Sequence, residues 1–130
     1  MKLKTIALGF LLLALIGCAS VYRDEPIDIY QKTQSYKNRP YGVVWSAALR
    51  SIDDIGFMVR SAVKKSGLIQ AVAKANPDPR FLPPLMNIVI TSGDGRVDVN
   101  FHIELPGQRN NKGTRRKLAN QFFKALRRNL

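Results

Sequence analysis

The chain has 130 residues, 45% of them hydrophobic, and sets 21 lysines and arginines against 9 acidic residues for a formal net charge of +12. One cysteine and one histidine exclude an internal disulfide and a zinc centre, which takes several nitrogen or sulfur ligands. The length allows one domain with a modest core and no second one.

Lys2 and Lys4 precede an apolar run from Ile6 to Ile16, the basic and apolar regions of an export signal. The run falls short of the roughly 20 residues that cross a bilayer as a helix. It ends in Leu15-Ile16-Gly17-Cys18, which resembles the lipobox of bacterial lipoproteins, with Ile16 a tolerated rather than preferred residue. The resemblance implies cleavage before Cys18, a diacylglycerol thioether on its sulfur and a third acyl chain on the new amino group. At about 0.8 kcal/mol per buried methylene, two or three chains make release negligible. Ala19, where an aspartate commonly signals inner-membrane retention, implies the periplasmic face of the outer membrane, with the inner membrane as the alternative. An ordinary signal peptide ahead of a spare thiol is the competing reading.

Removal of residues 1–17 leaves 113 residues with 19 basic and 9 acidic side chains, a net +10. Such an excess usually points to nucleic acid, but export places the chain among phospholipid and lipopolysaccharide phosphates instead. The expected partners are therefore the membrane, through the lipid, and an envelope protein, with no nucleic acid, metal or cofactor.

Residues 18–28 carry a proline and little periodicity, as expected of a lipidated spacer ahead of a single domain at 29–130. A first strand is expected over Ile29–Lys37. Pro40 then opens a helix whose Tyr41, Val44, Trp45, Ala48, Leu49, Ile52 and Ile55 recur at three- and four-residue spacing, with Gly56 as its C-cap. Phe57–Lys64 alternates as a strand with Phe57, Val59, Ser61 and Val63 on one face. Lys65-Ser66-Gly67 turns into a second strand over Leu68–Ala75. Asn76 to Pro84 holds four prolines and cannot supply the donors of an interior strand.

Leu85–Thr91 and Arg96–Leu105 form the clearest hairpin, joined through an Asp94-Gly95 turn. Val97, Val99, Phe101, Ile103 and Leu105 alternate with Arg96, Asp98, Asn100, His102 and Glu104, which predicts one core face and one polar face. A last helix over Arg115–Leu130 winds Leu118, Ala119, Phe122, Phe123, Ala125, Leu126 and Leu130 onto one arc. The expectation is an α+β fold in the order β-α-β-β-β-β-α, an antiparallel sheet of about five strands with two helices on one face.

Tyr41-Gly42-Val43-Val44-Trp45-Ser46-Ala47-Ala48-Leu49, Ile55-Gly56-Phe57 and Lys65-Ser66-Gly67-Leu68-Ile69-Gln70-Ala71 resemble a pattern in small uncharacterised Gram-negative lipoproteins with a helix-grip-like domain. The accessory lipoprotein of the outer-membrane β-barrel assembly machinery carries related domains. The resemblance implies an inward-facing Trp45, a helix ended by Gly56 and a strand opened by Gly67. It assigns no catalytic residue to any of them.

Chemistry-bearing patterns are sparse. His102 falls on the polar side of its strand with no nucleophile motif nearby, so an envelope hydrolase has the least support. Asp53 and Asp54 are adjacent on a helix, point about 100° apart and cannot act as a close carboxylate pair. Three surfaces remain as binding candidates. Arg80, Phe81 and Leu82 stand among prolines as a docking loop, or else Phe81 and Leu82 tuck onto the sheet edge. The polar strand face from Arg96 to Glu104 is a candidate open side of the sheet. Arg115, Arg116, Lys117, Lys124, Arg127 and Arg128 form a basic helix face, either solvated or set against anionic headgroups. Cations at that helix N-terminus oppose the macrodipole, so helix stability does not account for them. The sequence thus points to a lipid-anchored envelope protein without catalysis that serves as an interaction or assembly module. The alternative is a binder of anionic lipid or lipopolysaccharide.

Overall fold

A computed structural model describes residues 30–75, 82–105 and 112–130. The acylation candidate Cys18, the leader and spacer, and Arg80 and Phe81 lie outside the described residues. The order is β1 (Tyr30–Lys37), α1 (Tyr41–Asp54), β2 (Phe57–Val63), β3 (Leu68–Ala73), β4 (Leu85–Gly93), β5 (Arg96–Glu104) and α2 (Lys112–Asn129). The five strands form one antiparallel sheet in the order β1-β5-β4-β3-β2. This is the expected α+β architecture.

Local chemistry explains the elements. Pro40, at φ −62°, holds the N-cap position of α1, and the chain leaves the helix through Gly56 at φ +84°. Asp94 and Gly95 both take positive φ, 55° and 70°, as a type I′ hairpin turn requires. The perfect alternation of β5 buries Val97, Val99, Phe101 and Ile103 beneath the helices. Ile69, Ala71, Met86, Ile88 and Ile90 continue that layer, and Val44, Trp45, Ile52, Phe122, Phe123 and Leu126 descend on it from α1 and α2. Phe101, Phe122 and Phe123 cluster with ring centroids 5.2–6.2 Å apart. Burial of each ring contributes about 1.5–3 kcal/mol, and each aromatic pair adds about 0.5–1.5 kcal/mol.

Three expectations are corrected. The register of β2 against β3 shifts between Val59 and Ser61, so alternation breaks at Arg60. Phe57, Val59 and Ala62 therefore face the helices while Met58, Ser61 and Val63 face outward, and only Phe57 is buried. Leu82 does not tuck onto the sheet, being 73% exposed. Helix α2 begins at Lys112, three residues earlier than expected, which carries Arg115 into the interior at 2% exposure. Arg116 and Lys117 then fall in the second turn, where the macrodipole has faded, so the argument from helix ends no longer applies to them.

A polar knot ties the helices together at their C-terminal ends. Asn129 Nδ2 donates to Ser51 Oγ at 3.1 Å and to Asp54 Oδ2 at 2.9 Å, and Arg128 reaches the same carboxylate at 3.2 Å. The buried Ser51 donates in turn to Ala47 O at 2.7 Å. Arg50 and Arg39 donate to the carbonyls of Asn129 and Leu130, satisfying acceptors that a helix end leaves open.

Candidate functional site: two faces on the outside

The space between helices and sheet is occupied by the three phenylalanines and their aliphatic neighbours. The binding candidates are accordingly on the surface, on the helix layer and on the side of the sheet away from the helices.

On α2, seven of eighteen residues are basic and none is acidic. Arg116, Lys117 and Lys124 are exposed and, with Asn120 and Gln121, line an open depression of about 380 Å³. Of the six cations expected on one face, these three share a site. Arg115 is inside, Arg128 is engaged by Asp54, and Arg127 stands near Tyr36. Arg127 and Arg128 occupy the last turn, where cations favour the helix dipole. The inward position of Arg115 is readable from spacing: it lies three, four and seven residues before Leu118, Ala119 and Phe122, and so on their stripe. The hydrogen bond from Asn129, then that from Arg128, holds the Asp54 carboxyl below its ordinary 3.8. Asp53, the other member of the pair, instead meets Lys74. Burial pushes the Tyr36 phenol up, partly offset by the Arg127 charge.

The other face of the sheet carries three cross-strand rows. Gln31, His102, Asn87, Gln70 and Ser61 form a polar middle row, one residue from each strand. It is flanked on one side by Glu104, Leu85, Val72 and Met58, and on the other by Thr33, Asn100, Val89, Leu68 and Val63. The polar side of β5 is thus part of the sheet face turned away from the helices, as its alternation suggests, and Asp98, Asn100, His102 and Glu104 there are half-buried. The continuation of that face into an apolar half built by β2, β3 and β4 is not contained in the pattern of β5. Met58, Val63, Leu68 and Val89 there are 36–54% exposed, whereas Val72 is buried at 9% and Leu85 is half-buried. Asn87 Oδ1 and His102 Nε2, cross-strand neighbours in the middle row, are buried atoms with no hydrogen-bond partner among the described residues. His102 Nε2 lies 3.8 Å from Glu104.

A third, wider depression of about 730 Å³ lies between Tyr41, the Lys64-Lys65-Ser66 turn and Ile90-Thr91-Ser92. Tyr41 and Ser66 turn their hydroxyls onto the carbonyls of Lys64 and Val63, so both hydroxyls serve the turn. Among the described residues no group of three or more His, Cys, Asp or Glu could hold a metal, and no helix is long and apolar enough to cross a membrane.

The class defined by these features is an α+β domain with a five-stranded antiparallel sheet and both helices on one side. Among solved structures it is similar to an uncharacterised protein from Bacillus thuringiensis, at 12% identity and TM-score 0.51 over 75% of this chain and 96% of that one. It also matches a protein of the dynemicin biosynthetic locus at 15% identity and TM-score 0.47, covering 79% of this chain and 47% of that one, about half its length. The Zhui aromatase/cyclase from a Streptomyces species matches at 12% identity and TM-score 0.41, covering 78% and 86% of the two chains. Such identities establish fold alone. No family model and no curated protein matches the chain.

Proposed function

We propose that the protein is a lipid-anchored cell-envelope lipoprotein that acts, without catalysis, as an interaction module on the periplasmic side of the outer membrane. The observation that carries the module reading is the packing. Aromatic side chains fill the interior where a carrier or cyclase would need room, while Met58, Val63, Leu68 and Val89 on the other face of the sheet stay 36–54% exposed. The anchor reading rests on Lys2, Lys4, the apolar run and Leu15-Ile16-Gly17-Cys18, in keeping with the likeness of the sequence to lipoboxes and to helix-grip-like lipoproteins. Growth with radiolabelled palmitate tests it: label enters the wild-type chain and is lost in Cys18→Ser, and an unlabelled wild-type chain overturns the anchor.

A second reading, binding of anionic lipid or lipopolysaccharide phosphates, is favoured by one arrangement. Arg116, Lys117 and Lys124 converge on a single depression with two amide side chains and no carboxylate. Each cation close to an anionic surface contributes about 1 kcal/mol.

A further inference from the structure

The outward positions of α2, Gly113, Arg116, Lys117, Asn120, Gln121 and Lys124, recur at three- and four-residue spacing and line one depression of about 380 Å³. Arg116, Lys117 and Lys124 make no hydrogen bond or ion pair among the described residues. Asp54 borders the neighbouring depression together with Lys124, but its carboxylate is engaged by Asn129 and Arg128. Asn120 Oδ1 accepts a hydrogen bond from Lys32 at 3.0 Å, which leaves Nδ2 as the donor end of that amide. Guanidinium, ammonium and amide N–H groups together complement phosphate oxygens.

The place of the depression in the fold selects the source of the phosphate. β1 and α2 run alongside each other: Lys32 reaches Asn120 and lies 5.5 Å from the Phe123 ring, and further along the Arg127 charge bears on Tyr36. Four helical residues at about 1.5 Å each and two strand residues at about 3.3 Å each both cover about 6 Å. Arg116, four residues before Asn120, therefore comes level with Tyr30, two before Lys32. Tyr30 is also where the described chain enters the sheet, twelve residues after Cys18, a stretch that spans at most about 43 Å. The cations and the tether share one end of the domain.

We propose that this depression lies on the leaflet that holds the acyl chains, its cations set on the phosphodiester headgroups of anionic phospholipid. The proposal rests on the anionic-lipid reading and on the acyl anchor, and it names the lipid. A protein partner fits less well. None of the large exposed hydrophobic residues described lies on α2, whose apolar stripe is spent on the core, whereas protein interfaces need apolar anchors at their centre. For the same reason the contact is electrostatic and without insertion. Each cation close to an anionic surface favours it about fivefold, and the tether makes the leaflet an effectively intramolecular ligand.

Fluorescence quenching in vesicles tests the contact. The full chain is purified from membranes with a dye on Thr114→Cys, at the exposed start of α2, or on Ser92→Cys, beside the Asp94-Gly95 turn. It is reconstituted in phosphatidylcholine, alone or with an equal part of phosphatidylglycerol, with a nitroxide on the lipid headgroups. Wild type takes no dye because its one thiol carries the lipid, and uptake would overturn the anchor and this proposal with it. The expected result is quenching at Thr114→Cys but not at Ser92→Cys, only with phosphatidylglycerol, and lost at about 1 M salt, where the Debye length falls to about 3 Å. Arg116→Gln, Lys117→Gln and Lys124→Gln together lower the contact equilibrium up to about a hundredfold, with Trp45 fluorescence unchanged as the check that the fold is kept. Equal quenching at the two dye positions, or quenching that survives the three substitutions, overturns the proposal. Quenching with lipid A but not with phosphatidylglycerol overturns it and leaves the anionic-lipid reading intact. Capture of separate phosphatidylglycerol vesicles by chains held in neutral ones, without quenching in a phosphatidylglycerol leaflet of their own, does the same. Neither quenching nor capture overturns both.

Discussion

Gly67→Ala separates two costs that glycine substitutions usually combine. Gly67 sits at φ +74°, and a Cβ there would lie 2.0 Å from Ile90 O and 3.0 Å from Ile90 C, backbone atoms that cannot swing aside. The same glycine accepts the Ile90 N–H at 2.8 Å and donates to Val63 O at 3.0 Å. A side chain at this point must push the start of β3 away from β4 and break that pairing. Left-handed backbone costs an alanine about 1–2 kcal/mol, and losing a partner for buried backbone groups adds about 1–3 kcal/mol. The expected loss is therefore about 2–5 kcal/mol, a large part of the whole stability of a domain this size. Gly56, at φ +84° and with open space where a Cβ would stand, supplies the comparison, because alanine there meets only the backbone cost of about 1–2 kcal/mol. Urea unfolding followed by Trp45, the only tryptophan and 6% exposed, reads both variants in the chain from Ala19 onward. Equal losses for the two, within about 0.5 kcal/mol, would refute the close-approach argument.

Substituting Arg116, Lys117 and Lys124 together by glutamine weakens flotation of the lipid-free chain with phosphatidylglycerol vesicles by up to about 3 kcal/mol at low salt. Arg127→Gln, outside the depression, has a smaller effect, and equal effects refute the site. Asp54 has a lowered folded-state pKa, so its contribution to stability is present above the unfolded value near 3.8 and is lost as pH falls through the folded one. Asp54→Asn therefore melts lower than wild type at pH 6 and converges with it by pH 2, whereas a constant gap between the two melting curves removes the carboxylate from the account.

The features set by local pattern are legible in the sequence. β5 can be read residue by residue because its alternation has no error, and Asp94-Gly95 names its own turn. Gly56 likewise stands where the periodicity of α1 stops. What escapes depends on partners distant in sequence. The bulge at Arg60 is a mismatch between β2 and β3, and nothing within Phe57–Val63 marks it. Arg115 is misread because a run of three cations looks like a helix surface, although its spacing from Phe122 puts it on the apolar stripe. The apolar half-face cannot be seen strand by strand, since it arises only when Met58, Val72 and Leu85 are brought abreast.

The direction of β1 sets the end of the sheet at which the chain enters. The strand enters at Tyr30 beside Ile103 and ends at Lys37 beside Arg96, next to the Asp94-Gly95 turn, so its eight residues put that turn about 25 Å from the point of entry. With the proposed acyl anchor upstream of Tyr30, the tether would join the sheet at the end opposite both hairpin tips, Lys65-Ser66-Gly67 and Asp94-Gly95.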